Sequence, residues 1–262
     1  MRSARARAAL LLWPRPSRRG SSKLKQVQYR GKHYLLFANE DIGWRILVAG
    51  SYEEQELDVL SELIKPTDVC FDIGANIGIY SVTMATAAHQ GKVVAFEPNR
   101  IVRDVLRVNL NLNHIENVSV ESTLVCERTG PTVFYQATDS AYSSVGNTRR
   151  GGDVSEIEVQ ATTLDDYVAR TSTRVDVLKI DVEGAEKMVI DGAAGVLADQ
   201  NTRPRVILAE MNSENFSTCD TSSTQLIAQL TQAGYTPHSF TRSGLKEGWP
   251  QKGATENALF LS

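Results

Sequence analysis

The residues of this chain that are best placed for chemistry lie in segment 69–80 and at Glu97. Segment 69–80 reads Val-Cys-Phe-Asp-Ile-Gly-Ala-Asn-Ile-Gly-Ile-Tyr, which is typical of a buried strand, a glycine turn and the start of a helix. Glu97 ends the next apolar run about twenty residues later, where a Rossmann-like domain has its ribose-binding acid. The pattern therefore predicts a site for a ribose-containing cofactor.

The glycine turn favours S-adenosylmethionine (SAM) over a dinucleotide. A dinucleotide fingerprint is G-x-G-x-x-G, whose second glycine lets the backbone approach a pyrophosphate. Here the turn runs from Gly74 through Ala75 to Gly78, with Asn76 where that second glycine would stand. Asp72, at the end of the strand, would repel a pyrophosphate but suits the ammonium and sulfonium groups of SAM.

Glu97 can accept hydrogen bonds from both ribose hydroxyls of either cofactor, and Pro98 follows it. A purely structural interpretation has Asp72 capping the next helix and Gly74 serving the turn alone. That interpretation explains each residue singly but not their joint spacing. We therefore assign to the cofactor site Asp72, Gly74, Ala75, Asn76, Gly78, Glu97 and Pro98.

A second set of ionisable residues, Lys179, Asp181 and Glu183, alternates at the end of an apolar strand and should share one side of it. Methyl transfer from a sulfonium is an in-line displacement, so the protein must align the acceptor oxygen and remove its proton. We expect Asp181 to orient the acceptor or act as the general base, with Glu183 or Glu186 assisting. For Glu186 we favour a simpler role in the first turn of the next helix, where it complements the helix dipole.

A metal centre is a lesser alternative. Asp181, Glu183 and Glu210 are hard oxygen donors of the kind that divalent cations prefer. The four histidines lie in unrelated segments, which gives little support to a histidine cluster. We expect no metal, and we assign Glu210 to the acceptor side.

Alternating strands and helices must position these residues. The pattern predicts an α/β, Rossmann-like fold with a mostly parallel sheet and helices on both faces. Ligands bind such a sheet at the carboxyl ends of its strands, so Asp72, Glu97, Asp181 and Glu210 should lie along one rim. Predicted strands are 68–72, 92–96, 117–121, 175–181, 205–210, 235–240 and 257–261, with an extended pair at 131–136 and 156–162. Predicted helices are 53–64, 78–88, 99–111, 222–233 and one from about residue 184.

The chain divides into a basic tail, residues 1–26, which we expect to be disordered, and a single domain, residues 27–262. Within the domain, segment 27–64 is an N-terminal cover with strands at 32–37 and 44–48, and 65–262 is the core. Residues 1–39 carry a charge of +10 and the rest −13, which together give the net charge of −3. So acidic a domain is a poor binder of nucleic acid, whose affinity depends on neutralised phosphates.

No apolar run near the N-terminus is long enough to span a bilayer. The odd number of cysteines (Cys70, Cys126, Cys219) fits free thiols in a reducing compartment, so we expect a cytoplasmic protein. The polar, glycine-rich segment 139–155 is long for a connection and is as readily a substrate-facing loop as an inert one. The oligomeric state stays open.

Four motifs in order make the chain resemble the FkbM family of SAM-dependent methyltransferases, from about residue 53 to 261. They are segments 72–78, 96–98 (Phe-Glu-Pro), 163–167 (Thr-Leu-Asp-Asp-Tyr) and 178–186 (Leu-Lys-Ile-Asp-Val-Glu-Gly-Ala-Glu). The resemblance implies a class I methyltransferase fold, with Asp72, Gly74, Asn76 and Gly78 at the methionine end of SAM and Glu97 at its ribose.

The resemblance further implies O-methylation of a hydroxyl on a sugar, lipid or polyketide-type natural product. Ser143 and Ser144 fit a serine pair of that family's middle loop, which assigns them to the acceptor. Segment 123–127 (Thr-Leu-Val-Cys-Glu) departs from the family pattern, so the adenine contact is not identified. The alternatives are a dinucleotide-dependent oxidoreductase and a catalytically silent SAM-binding module.

Overall fold

The computed structural model describes residues 23–146, 152–200, 202–212, 216, 222–251 and 255–262. Its strands are β1 (Leu24–Tyr29), β2 (Lys32–Phe37), β3 (Val69–Ile73), β4 (Lys92–Phe96), β5 (Val118–Glu121), β6 (Leu124–Val125), β7 (Gly130–Ala137), β8 (Val154–Thr162), β9 (Val177–Ile180), β10 (Val206–Glu210), β11 (Thr236–Thr241), β12 (Gly244–Glu247) and β13 (Asn257–Leu261).

The described helices are α1 (Asp41–Trp44), which continues as a π-helical turn (Arg45–Ala49), α2 (Glu54–Leu63), α3 (Ile79–Ala87), α4 (Arg100–Leu112), a 3₁₀ turn (Ser140–Tyr142), α5 (Leu164–Thr171), α6 (Glu186–Asp191), α7 (Ala194–Ala198) and α8 (Ser223–Gln232). None of the described helices is both long and apolar enough to cross a membrane.

Eight strands form the central sheet, in the order β12-β11-β13-β10-β9-β3-β4-β5. The five strands from β10 to β5 run parallel, whereas β13, β11 and β12 pair antiparallel at one edge. The inner parallel strands are mostly apolar because both of their faces are buried, and the charged exceptions within β3 and β9 are Asp72 and Lys179. The predicted α/β fold with a mostly parallel sheet is confirmed.

Helices cover both faces of this sheet. On one face α2, α3 and α4 pack through buried residues such as Leu60, Met84 and Leu106. On the other face α5 to α8 pack through residues such as Tyr167 and Leu226. Removing each large apolar side chain from water contributes roughly 1.5–3 kcal/mol, so the two layers fix the sheet between them.

The N-terminal segment differs from the prediction in two places. The expected strand 44–48 is helical, because Arg45 and Asp41 form an i, i+4 ion pair of 2.7 Å and only Ile46 of the apolar run is buried. Strand β1 begins at Leu24, so the last residues assigned to the tail are part of a hairpin with β2. Residues 1–22 of the tail lie outside the described residues.

A small sheet of order β6-β8-β7 lies beside the central one. It contains the extended pair predicted at 131–136 and 156–162, which forms an antiparallel ladder. Segment 139–155 connects its two long strands, and its residues 147–151 lie outside the described part of the chain. Strand β12 was not predicted, because its short, half-exposed sequence lacks an apolar alternation.

Asn109, on α4, joins the N-terminal hairpin (β1 and β2) to the cofactor turn (residues 74–78). Its fully buried amide donates to the carbonyls of Leu35 and Ile77, at 3.0 and 2.7 Å, and accepts from the Leu35 amide at 2.6 Å. Three backbone groups of two segments therefore depend on one side chain. Leaving such groups buried without partners is costly.

We predict that Asn109→Ala lowers the free energy of unfolding by about 2–4 kcal/mol, since it orphans buried backbone groups. Urea denaturation followed by circular dichroism measures the change. The matched control is Asn111→Ala, an exposed asparagine of the same helix, which should change stability by less than about 0.5 kcal/mol. Equal stabilities of the two variants would contradict the role of Asn109.

Candidate cofactor and acceptor site

A cavity of about 720 Å³ opens at the carboxyl ends of the parallel strands. Its floor is made by the residues that follow β3, β4, β9 and β10, and its walls by segment 41–56 and segment 140–145. This is the edge at which open α/β sheets bind ligands, because the loops there diverge to both faces. Of the residues singled out from the sequence, the cavity is lined by Gly74, Ala75, Asn76, Glu97, Pro98, Ser143, Ser144, Lys179, Asp181, Glu183 and Glu210.

The turn after β3 requires its first glycine. Gly74 has a φ of +76°, and a Cβ there would lie 1.9 Å from the carbonyl oxygen of Asp181. The amides of Gly74 and Ala75 both donate to the carbonyl of Phe96, at 3.1 and 3.0 Å, which ties the turn to the end of β4. Gly78 does not line the cavity; a Cβ on it would lie 2.2 Å from the Leu106 side chain, so it allows helix packing.

Glu97 is buried at the end of β4, with 6% of its surface exposed. Its two carboxylate oxygens accept from the amides of Asn76 and Asn99, at 2.9 and 2.8 Å. Burial raises the pKa of Glu97 to about 7, although these hydrogen bonds lower it. Arg103, which the sequence analysis missed, donates to the carbonyls of Glu97 and Pro98 and holds this corner in place.

Asp72 lies beneath the cavity rather than on its surface. It is fully buried, accepts from the Ser81 hydroxyl at 2.6 Å, and lies 3.3 Å from the ammonium of Lys179. The Lys179 ammonium donates to the carbonyl of Gly74 at 2.9 Å. Asp72 therefore does not contact the cavity itself but pairs with Lys179, which does line it. The strand pattern in the sequence did not predict this ion pair.

Lys179 joins the cofactor turn to Asp181. Its ammonium is 3.4 Å from a carboxylate oxygen of Asp181, the residue that follows β9. Burial alone lowers the pKa of Lys179, but the charges of Asp181, Asp72 and Glu53 outweigh burial and raise the pKa above its ordinary value. Lys179 is therefore a permanent cation between carboxylates.

The expected alternation of Lys179, Asp181 and Glu183 does not continue past the strand. Strand β9 ends at Ile180, and Glu183 is in a turn with a φ of +56°, because Gly184 and the start of α6 redirect the chain. The turn still brings Asp181 and Glu183 to Glu210, with one oxygen of each within 4.8 Å of the others. Burial and the charges of Glu183 and Asp181 hold the pKa of Glu210 well above its ordinary value.

Glu186 lies in the first turn of α6, the position predicted from the sequence. It is 1% exposed, and its carboxylate accepts from the amides of Val182 and Gly184 at 3.0–3.2 Å. Burial raises the pKa of Glu186 to about 7, since those hydrogen bonds only partly offset it. The side chain stabilises the loop that carries Asp181 and Glu183.

Ser143 and Ser144 line the cavity, but their hydroxyls bond the protein backbone. The Ser143 hydroxyl accepts from the Ala137 amide at 3.1 Å, and that of Ser144 donates to the Val182 carbonyl at 2.8 Å. Ser144 thus holds segment 140–145 against the loop after β9. Nearby, Thr123, Leu124, Val125 and Phe134 give the cavity an apolar wall, which suits an adenine ring even though the sequence identified no contact.

The sequence analysis missed the contribution of segment 41–56. This cover supplies Asp41, Arg45, Tyr52 and Glu53 to the cavity wall. Arg45 is paired with Asp41, and the Tyr80 hydroxyl donates to Glu53 at 2.7 Å. No motif marks these residues, since only the docking of the cover onto the sheet brings them to the site.

The known proteins to which this chain is similar are methyltransferases. The family described as the Methyltransferase FkbM domain matches residues 72–237. A methyltransferase named sdnD from Sordaria araneosa is 30% identical over 170 residues, covering 48% of this chain and 65% of that protein. The 31-O-demethyl-FK506 methyltransferase FkbM from Streptomyces tacrolimicus is 31% identical over 179 residues, covering 57% of this chain and 67% of that protein.

A crystal structure of a methyltransferase FkbM from Methylobacillus flagellatus KT is similar with a TM-score of 0.47 and 17% identity, over 76% of this chain and 44% of that one. The chain thus spans about two thirds of the length of the two relatives named above, and less than half of this structure.

The parallel sheet, with its glycine turn after β3 and the buried Glu97 after β4, is a Rossmann-like fold of the kind that binds a ribose-containing cofactor. Its class is that of the class I SAM-dependent methyltransferases. The match over residues 72–237 covers more than half of the chain, and the chain belongs to the FkbM methyltransferase family. The predicted family and the SAM cofactor are confirmed. The dinucleotide-dependent alternative is wrong, because the family uses SAM.

We predict that SAM affinity falls as the pH drops below about 7, because only the ionised Glu97 can accept from both ribose hydroxyls and its pKa is about 7. Glu97→Gln should weaken binding by about 10-fold or more and remove most of this pH dependence. Isothermal titration from pH 5.5 to 8.5 measures both effects, with the exposed Glu116→Gln as control. A wild-type affinity that is flat across this range would contradict the assignment.

Proposed function

We propose that this protein transfers the methyl group of SAM to a hydroxyl oxygen of a small acceptor, a sugar, lipid or natural product. The observation that carries the proposal is the position of Lys179. Its ammonium contacts both the Gly74 carbonyl of the donor turn and the Asp181 carboxylate, so a carboxylate facing the cavity is held beside the cofactor turn.

The reaction needs little covalent help from the protein. The acceptor oxygen attacks the methyl carbon, the carbon–sulfur bond breaks with its electrons going to sulfur, and the hydroxyl proton must leave. We propose that Asp181 accepts a hydrogen bond from the acceptor hydroxyl. This bond directs a lone pair of the acceptor oxygen at the methyl group of SAM. Alignment of this kind supplies a large part of the rate of a displacement reaction. Lys179 fixes the Asp181 side chain for that purpose.

The charges of the cavity favour an uncharged acceptor. Among the described lining residues the basic side chains are Arg45 and Lys179, and each is paired with a carboxylate. Acids are more numerous in the same lining and include Asp181, Glu183 and Glu210. Two like charges about 5 Å apart near a protein surface repel by about 3 kcal/mol, so a phosphate-bearing acceptor is disfavoured.

The same charges argue against nucleic acid as the acceptor, in line with the excess of acid over base in residues 40–262. The name of the Streptomyces relative, a 31-O-demethyl-FK506 methyltransferase, supports an oxygen acceptor on a small molecule. A cytoplasmic location remains a prediction; Cys70 and Cys126 are free and buried, and Cys219 lies outside the described residues.

A catalytically silent SAM-binding module is the competing function. Incubation with methyl-labelled SAM and a panel of neutral hydroxylated acceptors, such as methyl glycosides and macrolides, separates the two. Transfer of label to an acceptor oxygen supports the enzyme, whereas SAM binding without transfer to any acceptor supports the silent module.

We predict that Asp181→Asn lowers kcat by about 100-fold, because an amide donates as well as accepts and loses the charge that Lys179 fixes. SAM affinity should change little, since Lys179 keeps Asp72 and the Gly74 carbonyl as partners. Turnover with the best acceptor of the panel and titration of SAM measure the two quantities. Asp104→Asn, exposed on α4, is the control. Near-normal turnover of Asp181→Asn would contradict the role of Asp181.

The carboxylates of Asp181, Glu183 and Glu210 raise the question of a divalent cation. The elevated pKa of Glu210 lets a bound proton relieve the repulsion within this cluster. We therefore predict that dialysis against EDTA leaves turnover unchanged. Loss of turnover that Mg²⁺ restores, with SAM affinity constant, would instead identify a metal-dependent reaction.

A further inference from the structure

Glu53 has an unusual backbone conformation at the wall of the cavity. Its φ and ψ are 45° and 42°, in the left-handed region that residues other than glycine seldom occupy. Such conformations concentrate at functional sites, where the surrounding structure enforces them. Glu53 also occupies the position before α2 where a side chain commonly caps the helix, yet its side chain makes no capping hydrogen bond.

The Glu53 side chain is instead directed to the cavity, where the Tyr80 hydroxyl donates to its Oε2 at 2.7 Å. Tyr80 is in the first turn of α3, directly after the cofactor turn, and its ring centroid is 5.2 Å from the Lys179 ammonium. A carboxylate has about four acceptor positions, so one bond from Tyr80 leaves room for an acceptor hydroxyl.

Several charged groups surround Glu53. Asp181 and Lys179 face it from the end of β9, Glu56 from α2, and Tyr80 from α3. Tyr52 and Arg45, from the cover, interact with one another, and the charges of Glu53 and Asp181 both act on Tyr52. Glu53 and Asp181 therefore line the same part of the cavity, although they are far apart in the sequence.

The two carboxylates differ in their partners. Asp181 lies 3.4 Å from the Lys179 ammonium, which stabilises its negative charge. Burial, and after it the charge of Asp181, raise the pKa of Glu53 to about 7, although the Tyr80 hydrogen bond opposes both. A group whose pKa is near the working pH is both available as a base and strong enough to take a proton.

Two other buried glutamates of this edge, Glu97 and Glu186, are engaged by backbone amides. Each accepts from at least two such amides, and Glu97 is the residue predicted to bind the ribose of SAM. Glu186 does not line the cavity. Neither has the side-chain hydrogen bond to a cavity residue that Glu53 has with Tyr80.

Building on the proposed hydroxyl methylation, we propose that Glu53 is the general base, which takes the acceptor's hydroxyl proton while Asp181 orients the acceptor. As the oxygen–methyl bond forms and the methyl–sulfur bond breaks, the electron pair stays on sulfur and gives neutral S-adenosylhomocysteine. The hydroxyl proton moves to a carboxylate oxygen of Glu53 and is later released to solvent. Tyr80 positions Glu53 and tunes its basicity.

The test uses the full chain, methyl-labelled SAM at saturation and the best neutral acceptor of the panel. Glu53→Gln should lower kcat by about 100-fold or more, whereas SAM affinity should stay within about twofold, because Glu53 lies outside the donor contacts. Glu53→Asp, which keeps a carboxylate, should recover part of the rate. Glu62→Gln, the same change at an exposed position of α2, should behave as wild type.

The pH profile of kcat gives a second readout that a purely structural role would not move. Wild-type kcat should rise with pH through about 7 and then level, because the carboxylate form is the active one. Tyr80→Phe removes the hydrogen bond that favours ionised Glu53, so its rising limb should move to higher pH. Unchanged kcat in Glu53→Gln, or the same limb in Tyr80→Phe as in wild type, would overturn the proposal.

Infrared difference spectra separate failure of this proposal from failure of the proposed function. The protonated-carboxyl band that titrates near pH 7 includes Glu53, Glu97 and Glu186, so it should be weaker by one group in Glu53→Gln than in wild type and unchanged in Glu62→Gln. If methylation occurs but this band is the same in all three proteins, the base assignment fails and the proposed function stands. If the band behaves as expected but no hydroxyl is methylated, the proposed function fails, and the role of Glu53 as a base for this reaction fails with it.

Discussion

The buried ammonium of Lys179 determines how the donor and acceptor halves of the site fit together. Moving a cation out of water is costly, and here Asp72, Asp181 and the Gly74 carbonyl offset that cost. Because these partners come from two adjacent strands, one charge network fixes the glycine turn relative to the acid that follows β9. Removing one member would leave the others buried without compensation, which is why the network also stabilises the fold.

The N-terminal cover forms one wall of the cavity at this strand edge. Asn109 holds the β1–β2 hairpin to the cofactor turn, and Glu40 accepts from the amide and hydroxyl of Ser140 at 3.0 and 2.6 Å. Asp139 accepts in return from the amide of Asp41. The cover is thus fastened on two sides, and Glu53 is held at the wall between them. A reaction that must place a base benefits from a wall held in this way.

Particular segments show which elements of the fold sequence patterns can predict and which they cannot. The apolar runs at β3, β4, β9 and β10 predict strands correctly because a parallel strand is buried on both faces and leaves few alternatives. Segment 44–48 has a similar composition but is helical, since Leu47 and Val48 remain exposed and the ion pair of Arg45 favours a turn. Local composition cannot reveal which apolar residues will find a partner.

The sequence by itself determined the family and the cofactor and predicted the strand edge for cofactor binding, because a glycine turn and an acid at fixed spacing form a recognisable local pattern. Only the tertiary structure decided that Asp72 acts through Lys179, that Gly78 serves helix packing, and that Glu53 reaches the cavity. These facts depend on contacts between segments far apart in the chain. Burial and charge then set the chemistry of each carboxylate, and neither can be read from its neighbours in sequence.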